Sequence, residues 1–434
     1  MIWQVFGILF VTAFLWKLLA SLNKILSERG AIRKLPCPPG AHWLFGHQKQ
    51  GPFDPGYKWL LDTVKAFPRV FTLWQGVLPL PVLVHPDTIK PLLTGAVANT
   101  KSAFYDLFAD WVGDGLVRSK SAKWKRNRRL LTHSFHLDVL RTYTPVFNDC
   151  VEVLIGKMDQ LAAQGKPIDV NHELVLCTFD VILRTAFSYK SDCQIEAGDP
   201  LTTPRDFLDT LLMAKDEDGN GFTVEEMADE VNTFMFAGHE TTATSMTWLL
   251  YNLAKYPEHQ TKIREEVDEI LGDRDSDRII TKDLNRMAYT TLVMKESMRM
   301  MTAGPLVSRV LTAPYTIDGV TLPVGTMLGI SIHQLHHNPS VWGEDHMEFK
   351  PSRFLPENLA KMDPFAFLSF SAGSRNCIGQ QFALNKIKVF VARILRRFRL
   401  SLVPGDPAPV ANMTVVSKPV IPLYIRLQQI NGKS

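Results

Sequence analysis

The chain has 434 residues, 46% hydrophobic and 21% charged, enough to bury a large core. Its 48 basic and 44 acidic residues leave a net charge of +4, too small to argue for nucleic acid as a partner. The five cysteines (Cys37, Cys150, Cys177, Cys193 and Cys377) are scattered with no C-x-x-C pair, which argues against a disulfide framework or zinc knuckle and fits a reducing compartment.

Residues 1–23 read as a transmembrane signal anchor. Ile2 to Leu22 is apolar apart from Gln4, Thr12, Lys17 and Ser21, and about twenty such residues cross a bilayer as a helix. Lys24, Arg29, Arg33 and Lys34 follow, so the C-terminal side stays cytosolic by the positive-inside rule. A cleaved signal peptide is the alternative; Lys17 and the lack of a small-residue cleavage site speak against it. Residues 24–40 form a basic and proline-rich hinge, ending in the stiff Leu35-Pro36-Cys37-Pro38-Pro39-Gly40. On the cytosolic side the sequon Asn412-Met413-Thr414 stays unmodified.

Residues 41–434 read as a mostly helical body with short strands. Val70 to Trp74 and Pro81 to Val84 suggest a small hairpin. Trp124-Lys-Arg-Asn-Arg128 is W-x-x-x-R in a basic helix, with Lys123, Lys125, Arg126 and Arg129 facing outward. Helices are expected over Leu137–Leu161 and Glu173–Ala186. Asp216-Glu-Asp218-Gly-Asn220-Gly221 copies the first half of a calcium loop, but Met227 stands where a bidentate glutamate is required, so a turn is expected. Thr223-Val-Glu-Glu226 is a capping box opening the longest helix, which runs to about Tyr256 before Pro257.

In the middle of that helix lies Ala237-Gly238-His239-Glu240-Thr241-Thr242. A glycine followed by hydroxyl residues is a place where a helix can open its hydrogen-bond ladder. A zinc-protease reading fails, because Ala243 replaces the second histidine of H-E-x-x-H. Further helices are expected over Pro257–Leu271 and Leu284–Met301. The second contains Glu296-Ser-Met-Arg299, which alone is an ordinary helical pair. Tyr315–Ile317 and Val320–Leu322 flank the tight-turn signal Asp318-Gly319, and Thr326–Ile332 suggests another strand. No carboxylate or cysteine set completes a metal site around His333, His336 and His337, so a structural role is expected.

The most informative segment is Phe370-Ser-Ala-Gly373-Ser-Arg375-Asn-Cys377-Ile-Gly379, F-x-x-G-x-R-x-C-x-G, followed by a helical pattern from Gln381 to Phe398. Free N–H groups and the helix dipole favour a thiolate at such a position. The glycines let backbone approach a flat ligand, and the arginine suits a carboxylate.

These motifs resemble the cytochromes P-450, the heme-thiolate monooxygenases, over nearly the whole chain from Leu35 onward. The resemblance implies a mainly α fold with small β-sheets and an N-terminal membrane anchor helix. It implies heme b with iron bound by Cys377, in a loop that includes Phe370 and Gly379. Arg375, Trp124, Arg128 and Arg309 would hold the propionates, and Thr241 and Glu240 would serve proton delivery. Glu296, Arg299 and Arg353 of Lys350-Pro-Ser-Arg353-Phe354 would form a structural charge cluster on the thiolate side. Electrons would come from NADPH through NADPH-cytochrome P-450 reductase, since the chain has no G-x-G-x-x-G fingerprint, with cytochrome b5 as a further partner. The basic helix face suits docking of an acidic electron donor. The implied location is the endoplasmic reticulum membrane, with the catalytic domain cytosolic.

Gly113-Asp-Gly-Leu116, Ala186-Phe-Ser-Tyr-Lys-Ser-Asp-Cys193, Asp206-Phe-Leu-Asp209 and Phe234-Met-Phe236 resemble family 4, the fatty-acid ω-hydroxylase type. That implies a fatty acid or similar lipid as substrate, with Trp111, Phe234, Ala237, Leu306, Val307 and Met413 as pocket walls. Three departures matter. Thr302-Ala303 replaces paired prolines, which predicts a less rigid turn. Ala237 stands where many relatives carry a glutamate that esterifies heme, so heme should be non-covalent. Between 193 and 206 the chain is roughly seventy residues shorter than a typical relative, far beyond ordinary loop variation; the missing stretch makes the lid over the substrate channel. A heme-thiolate isomerase or dehydratase and a non-catalytic lidless isoform remain as alternatives.

Overall fold

The computed structural model describes residues 16, 30–47, 58–95, 98, 100–189, 193–194 and 207–430. The expected anchor, apart from Trp16, and residues 195–206 lie outside the described residues. No helix among the described residues is long and apolar enough to cross a membrane.

The chain begins with α1 (Lys58–Ala66), β1 (Val70–Gln75), β2 (Leu78–Leu83) and α2 (Pro86–Thr94). Next come α3 (Ser121–Thr132), α4 (Leu137–Ala163), β3 (Ile168–Asp169), α5 (Val170–Phe187) and α6 (Phe207–Met213). Then follow α7 (Val224–Lys255), α8 (Pro257–Leu271), α9 (Ala288–Met300), β4 (Leu306–Val310), β5 (Tyr315–Ile317), β6 (Val320–Leu322) and β7 (Met327–Ser331). The C-terminal part holds α10 (Gln380–Arg397), β8 (Phe398–Leu402), β9 (Ala411–Met413), β10 (Ser417–Pro419) and β11 (Tyr424–Gln429).

Strands β1-β2-β7-β4 form one sheet and β3-β11-β8 another; β5-β6 and β9-β10 are separate hairpins. Pro79 and Pro81 are tolerated in β2 because β7 pairs only with Val82 and Leu83, beyond them. The β5–β6 turn takes Asp318 and Gly319 to φ +46° and +78°, the left-handed pair a two-residue hairpin needs.

Helix α7 starts as its sequence dictates. Thr223 Oγ1 accepts from the Glu226 amide at 3.2 Å, and Glu226 accepts from the Thr223 amide at 3.1 Å. The helix expected over Leu284–Met301 starts later than expected: a four-residue helix ends at Leu284 and α9 begins at Ala288. The cause is Glu266 of α8, which accepts from the Tyr289 and Thr290 amides at 2.5 and 2.9 Å and so caps α9 from another helix.

The thiolate-side charge cluster forms as the motifs imply. Arg299 donates to both Glu296 oxygens at 2.7 and 2.9 Å, and to the carbonyls of His336, His346 and Glu348. Its five N–H donors are thereby engaged. Arg353 lies 3.4 Å from Glu296 and donates to Asp345 at 2.8 Å. His336 Nε2 accepts from the Leu368 amide at 2.9 Å and its ring stacks on Phe367. Burial pushes the pKa values of His333, His336 and His337 down, keeping these rings neutral within the core.

Glu230 of α7 is buried against α3, accepting from the Leu116 amide and Asn127 Nδ2, each at 2.9 Å. Burial raises its pKa to about 7. Between its ordinary value and 7 the folded state therefore holds a proton that the unfolded state has lost. Stability from this group is full below the ordinary carboxylate pKa and falls as pH rises toward 7. In Glu230→Gln that decline should disappear: melting curves from pH 5 to 8 should show wild type losing ground relative to the variant. Parallel curves would show that the carboxyl does not titrate in this range.

Candidate active site

Cys377 sits between a tight loop and the start of α10. Its amide donates to the Phe370 carbonyl at 2.9 Å, and the Asn376 amide to Gly373 at 3.1 Å. Gly373 has φ +74°, and a Cβ there would lie 2.1 Å from the Leu93 carbonyl oxygen, so only glycine fits. Gly379 caps α10 and leaves the approach to the sulfur open, with an added Cβ no closer than 3.8 Å to any neighbour. The thiol lies deep in the fold yet is open to a cavity. Burial pushes its pKa up, while the Gly379 amide and the Arg128 charge pull it down.

That cavity measures about 340 Å³. Its walls are contributed by α3, α5, α7, the residues after α9 and the Cys377 loop. Among the described residues three cations line it: Lys101, Arg128 and Arg375. No aspartate or glutamate does so among the described residues. Arg375 stacks its guanidinium 3.9 Å over Trp124 and donates to the Ser119 carbonyl at 2.8 Å. Burial, then the nearby charge of Arg309, pushes its pKa down to about 9. Arg128 grips the Asn376 carbonyl at 2.7 Å and side-chain oxygen at 2.8 Å, tying α3 to the Cys377 loop. Cations walled in beside apolar surface call for an anionic, largely apolar ligand. A soft thiol facing the same space calls for a transition metal. Both demands fit heme: a flat macrocycle, two propionates and an iron.

Of the residues expected at the site, Cys377, Arg375, Trp124, Arg128, Phe370, Gly379, Thr241, Phe234, Ala237 and Val307 line this cavity. The others do not. Trp111 is 57% exposed and packs its ring 4.4 Å from Phe236, outside the cavity. Leu306 alternates with Val307 along β4 and points to the other face, toward Gly329. Met413 packs against the main core from β9. Arg309 is buried behind the wall, facing a smaller cavity shared with Arg375, and donates to the Ser308 carbonyl.

Glu240 also turns away. Its carboxylate lies 2.5 Å from Lys418 Nζ and 3.5 Å from His239 Nε2, and these partners outweigh burial to hold its pKa below the ordinary range. Helix α7 remains continuous through the motif: Thr241 Oγ1 donates to the Ala237 carbonyl at 2.8 Å and the ladder is closed at Gly238. The outward basic face is largely neutralised. Lys123 pairs with Asp114, Arg126 with Asp216 and Glu226, and Arg129 with Glu217. Asp216, in the turn expected before α7, accepts from the Asp218 and Asn220 amides.

Sequence reasoning missed Lys101, whose ammonium stands 4.0 Å over the Tyr105 ring at the cavity wall. It lies in no motif. It also missed Lys418, which belongs to a different element from the acid it pairs with.

A deep thiol facing a cation-lined, apolar cavity defines a heme-thiolate enzyme. The chain belongs to the cytochrome P-450 family, whose model matches residues 36–197 and 189–426. It is 36% identical over 448 aligned residues to an ultra-long-chain fatty acid omega-hydroxylase of Homo sapiens, covering 86% of this chain and 84% of that one. It is 34% identical to cytochrome P-450 4F1 of Rattus norvegicus, covering 96% and 94%. A leukotriene-B4 omega-hydroxylase 3 of Mus musculus is 32% identical, covering 99% and 96%. A cytochrome P-450 crystal structure superposes with a TM-score of 0.81 at 22% identity, covering 91% of this chain and 99% of that one, and shows the same fold. The protein is a cytochrome P-450 monooxygenase, and the family's cofactor is heme b bound through a cysteine thiolate.

Proposed function

We propose that the protein is a membrane-anchored fatty-acid ω-hydroxylase of the endoplasmic reticulum, with residues 1–23 as anchor, 24–40 as hinge and 41–434 as cytosolic catalytic domain. The cavity carries this reading: Phe135, Phe207, Phe234, Ile182 and Val307 make an apolar wall continuous with the Cys377 thiol. Such a wall suits an alkyl chain, and the names of two similar proteins support the ω position.

Heme, held through the Cys377 thiolate, would supply reductive activation of dioxygen. Arg375, Arg128, Lys101 and Trp124 would hold its carboxylates, with Arg309 behind them. Ala237 brings no carboxylate to esterify it. NADPH-cytochrome P-450 reductase supplies the electrons, and cytochrome b5 is a further donor. Thr241 presents the hydroxyl that moves protons inside the cavity. Glu240 would feed that route from outside the cavity, where it pairs with Lys418, which is 40% exposed along its side chain.

The short connection between 193 and 206 fits a shortened lid. The alignment to the human relative spans 448 positions yet uses 86% of this 434-residue chain, about 373 residues, so about 75 positions have no counterpart here. Phe187 at the end of α5 and Phe207 at the start of α6 have ring centroids 6.2 Å apart. The chain thus returns close to where it left, and the core can close without the longer excursion. The cost falls on substrate: at about 0.8 kcal/mol per buried methylene, losing three or four contacts weakens binding more than tenfold.

Thr241→Ala tests the proton assignment. The variant should bind heme and fatty acid normally but divert most NADPH-derived electrons to peroxide. Product formed per NADPH at the wild-type ratio would remove Thr241 from the route.

A further inference from the structure

Lys386 of α10 is fully buried, and among the described residues no carboxylate pairs with it. Its ammonium donates to one carbonyl, that of Gly238 on α7, at 3.0 Å, and lies 5.1 Å from the Phe382 ring centroid. Burial pulls its pKa down to about 7, partly offset by the buried thiols Cys177 and Cys150. Such a group is costly to keep in a core. A methionine of similar length would fill the space at less cost.

The next carbonyl along α7 is treated the same way. His239 accepts from Thr178 Oγ1 of α5 at 3.1 Å. Two successive carbonyls in the middle of one helix therefore each have a donor from a different neighbouring helix; Gly238 also accepts from Thr242 Oγ1 at 3.3 Å, a donor that leaves with the Thr242 amide when the ladder opens. Their ladder partners are the amides of Thr242 and Ala243. The added donors contribute little while the ladder is closed, since the carbonyls are already bonded. They matter when it opens. A buried carbonyl released from its amide is strongly disfavoured without a partner, and here partners are in place.

We infer that Lys386 is a positioning residue that makes opening of α7 at Gly238 cheap, by holding the carbonyl that opening would strand. Opening there frees the amides of Thr242 and Ala243 beside Thr241 and admits water next to its hydroxyl. Gly238 also lets α7 pack closely on α5, since a Cβ there would come 2.6 Å from Ile182 Cδ1. This rests on Thr241 as the proton-delivery residue.

Hydrogen exchange separates this role from a merely structural tie. The full-length, heme-loaded protein is compared with Lys386→Met and Lys386→Gln, heme content and the carbon-monoxide spectrum confirming the fold. The α7 amides over 239–245 should exchange about tenfold slower in Lys386→Met, equivalent to about 1.4 kcal/mol. Lys386→Gln retains a donor and should recover part of the difference. Product per NADPH should fall several-fold in Lys386→Met and recover likewise. A structural tie predicts the opposite, faster exchange once the anchor is gone; faster or unchanged exchange overturns the inference. If Thr241→Ala leaves coupling intact, the proton reading fails, while the exchange difference still reports on opening.

Discussion

Cys377→Ala should abolish the red-shifted band of the reduced, carbon-monoxide-bound protein, while Cys37, Cys150, Cys177 and Cys193 should each be replaceable without losing it. That band would require thiolate ligation of the heme iron, which Cys377 would supply. The structure separates the five sulfurs clearly. Cys377 alone among them lines the cavity. Cys150 and Cys177 are buried between α4 and α5, where burial pushes both pKa values well up and Cys177 donates to the Cys150 carbonyl. They are inert packing thiols. Cys37 belongs to the proline-rich segment, and Cys193 donates to the Leu176 carbonyl. A Cys377→Ala protein that kept the band would move the iron ligand elsewhere.

Arg299→Met should be the most damaging substitution outside the cavity. It strands the Glu296 carboxylate, which is fully buried, with Arg353 at 3.4 Å and the Lys350 amide at 2.7 Å as its remaining partners. It also removes the donor from the carbonyls of His336, His346 and Glu348. Breaking a buried pair from one side costs about 3–5 kcal/mol, against a total stability of about 5–15 kcal/mol. Most of the protein should fail to accumulate with heme, and what folds should melt many degrees lower. Adding Glu296→Met should recover part of the loss, because the uncompensated charge is gone. A single variant melting within a few degrees of wild type would show that the cluster is not what holds this side together.

What was legible in the sequence was local. The Cys377 loop closes on itself through the Cys377–Phe370 and Asn376–Gly373 bonds, so ten consecutive residues carry its geometry. The Thr223–Glu226 capping box and the Asp318-Gly319 turn are local for the same reason. What was not legible depends on partners distant in the chain. The start of α9 depends on Glu266 of α8. The direction of Glu240 depends on Lys418 of β10. The helix read as a basic docking face is neutralised by acids from outside it, Asp216 and Glu217 among them. Leu306 and Val307 are both plausible walls by type, and only the pairing of β4 with β7 decides which faces the cavity.

The most direct test is turnover under labelled dioxygen. The purified protein is supplied with reductase, NADPH, ¹⁸O₂ and a series of saturated fatty acids, and products are analysed by mass spectrometry. One labelled oxygen atom should appear in a hydroxyl at the chain end, with NADPH required and the other atom released as water. Product formed without NADPH, or no hydroxylated product from a protein showing the intact thiolate band, would contradict the assignment.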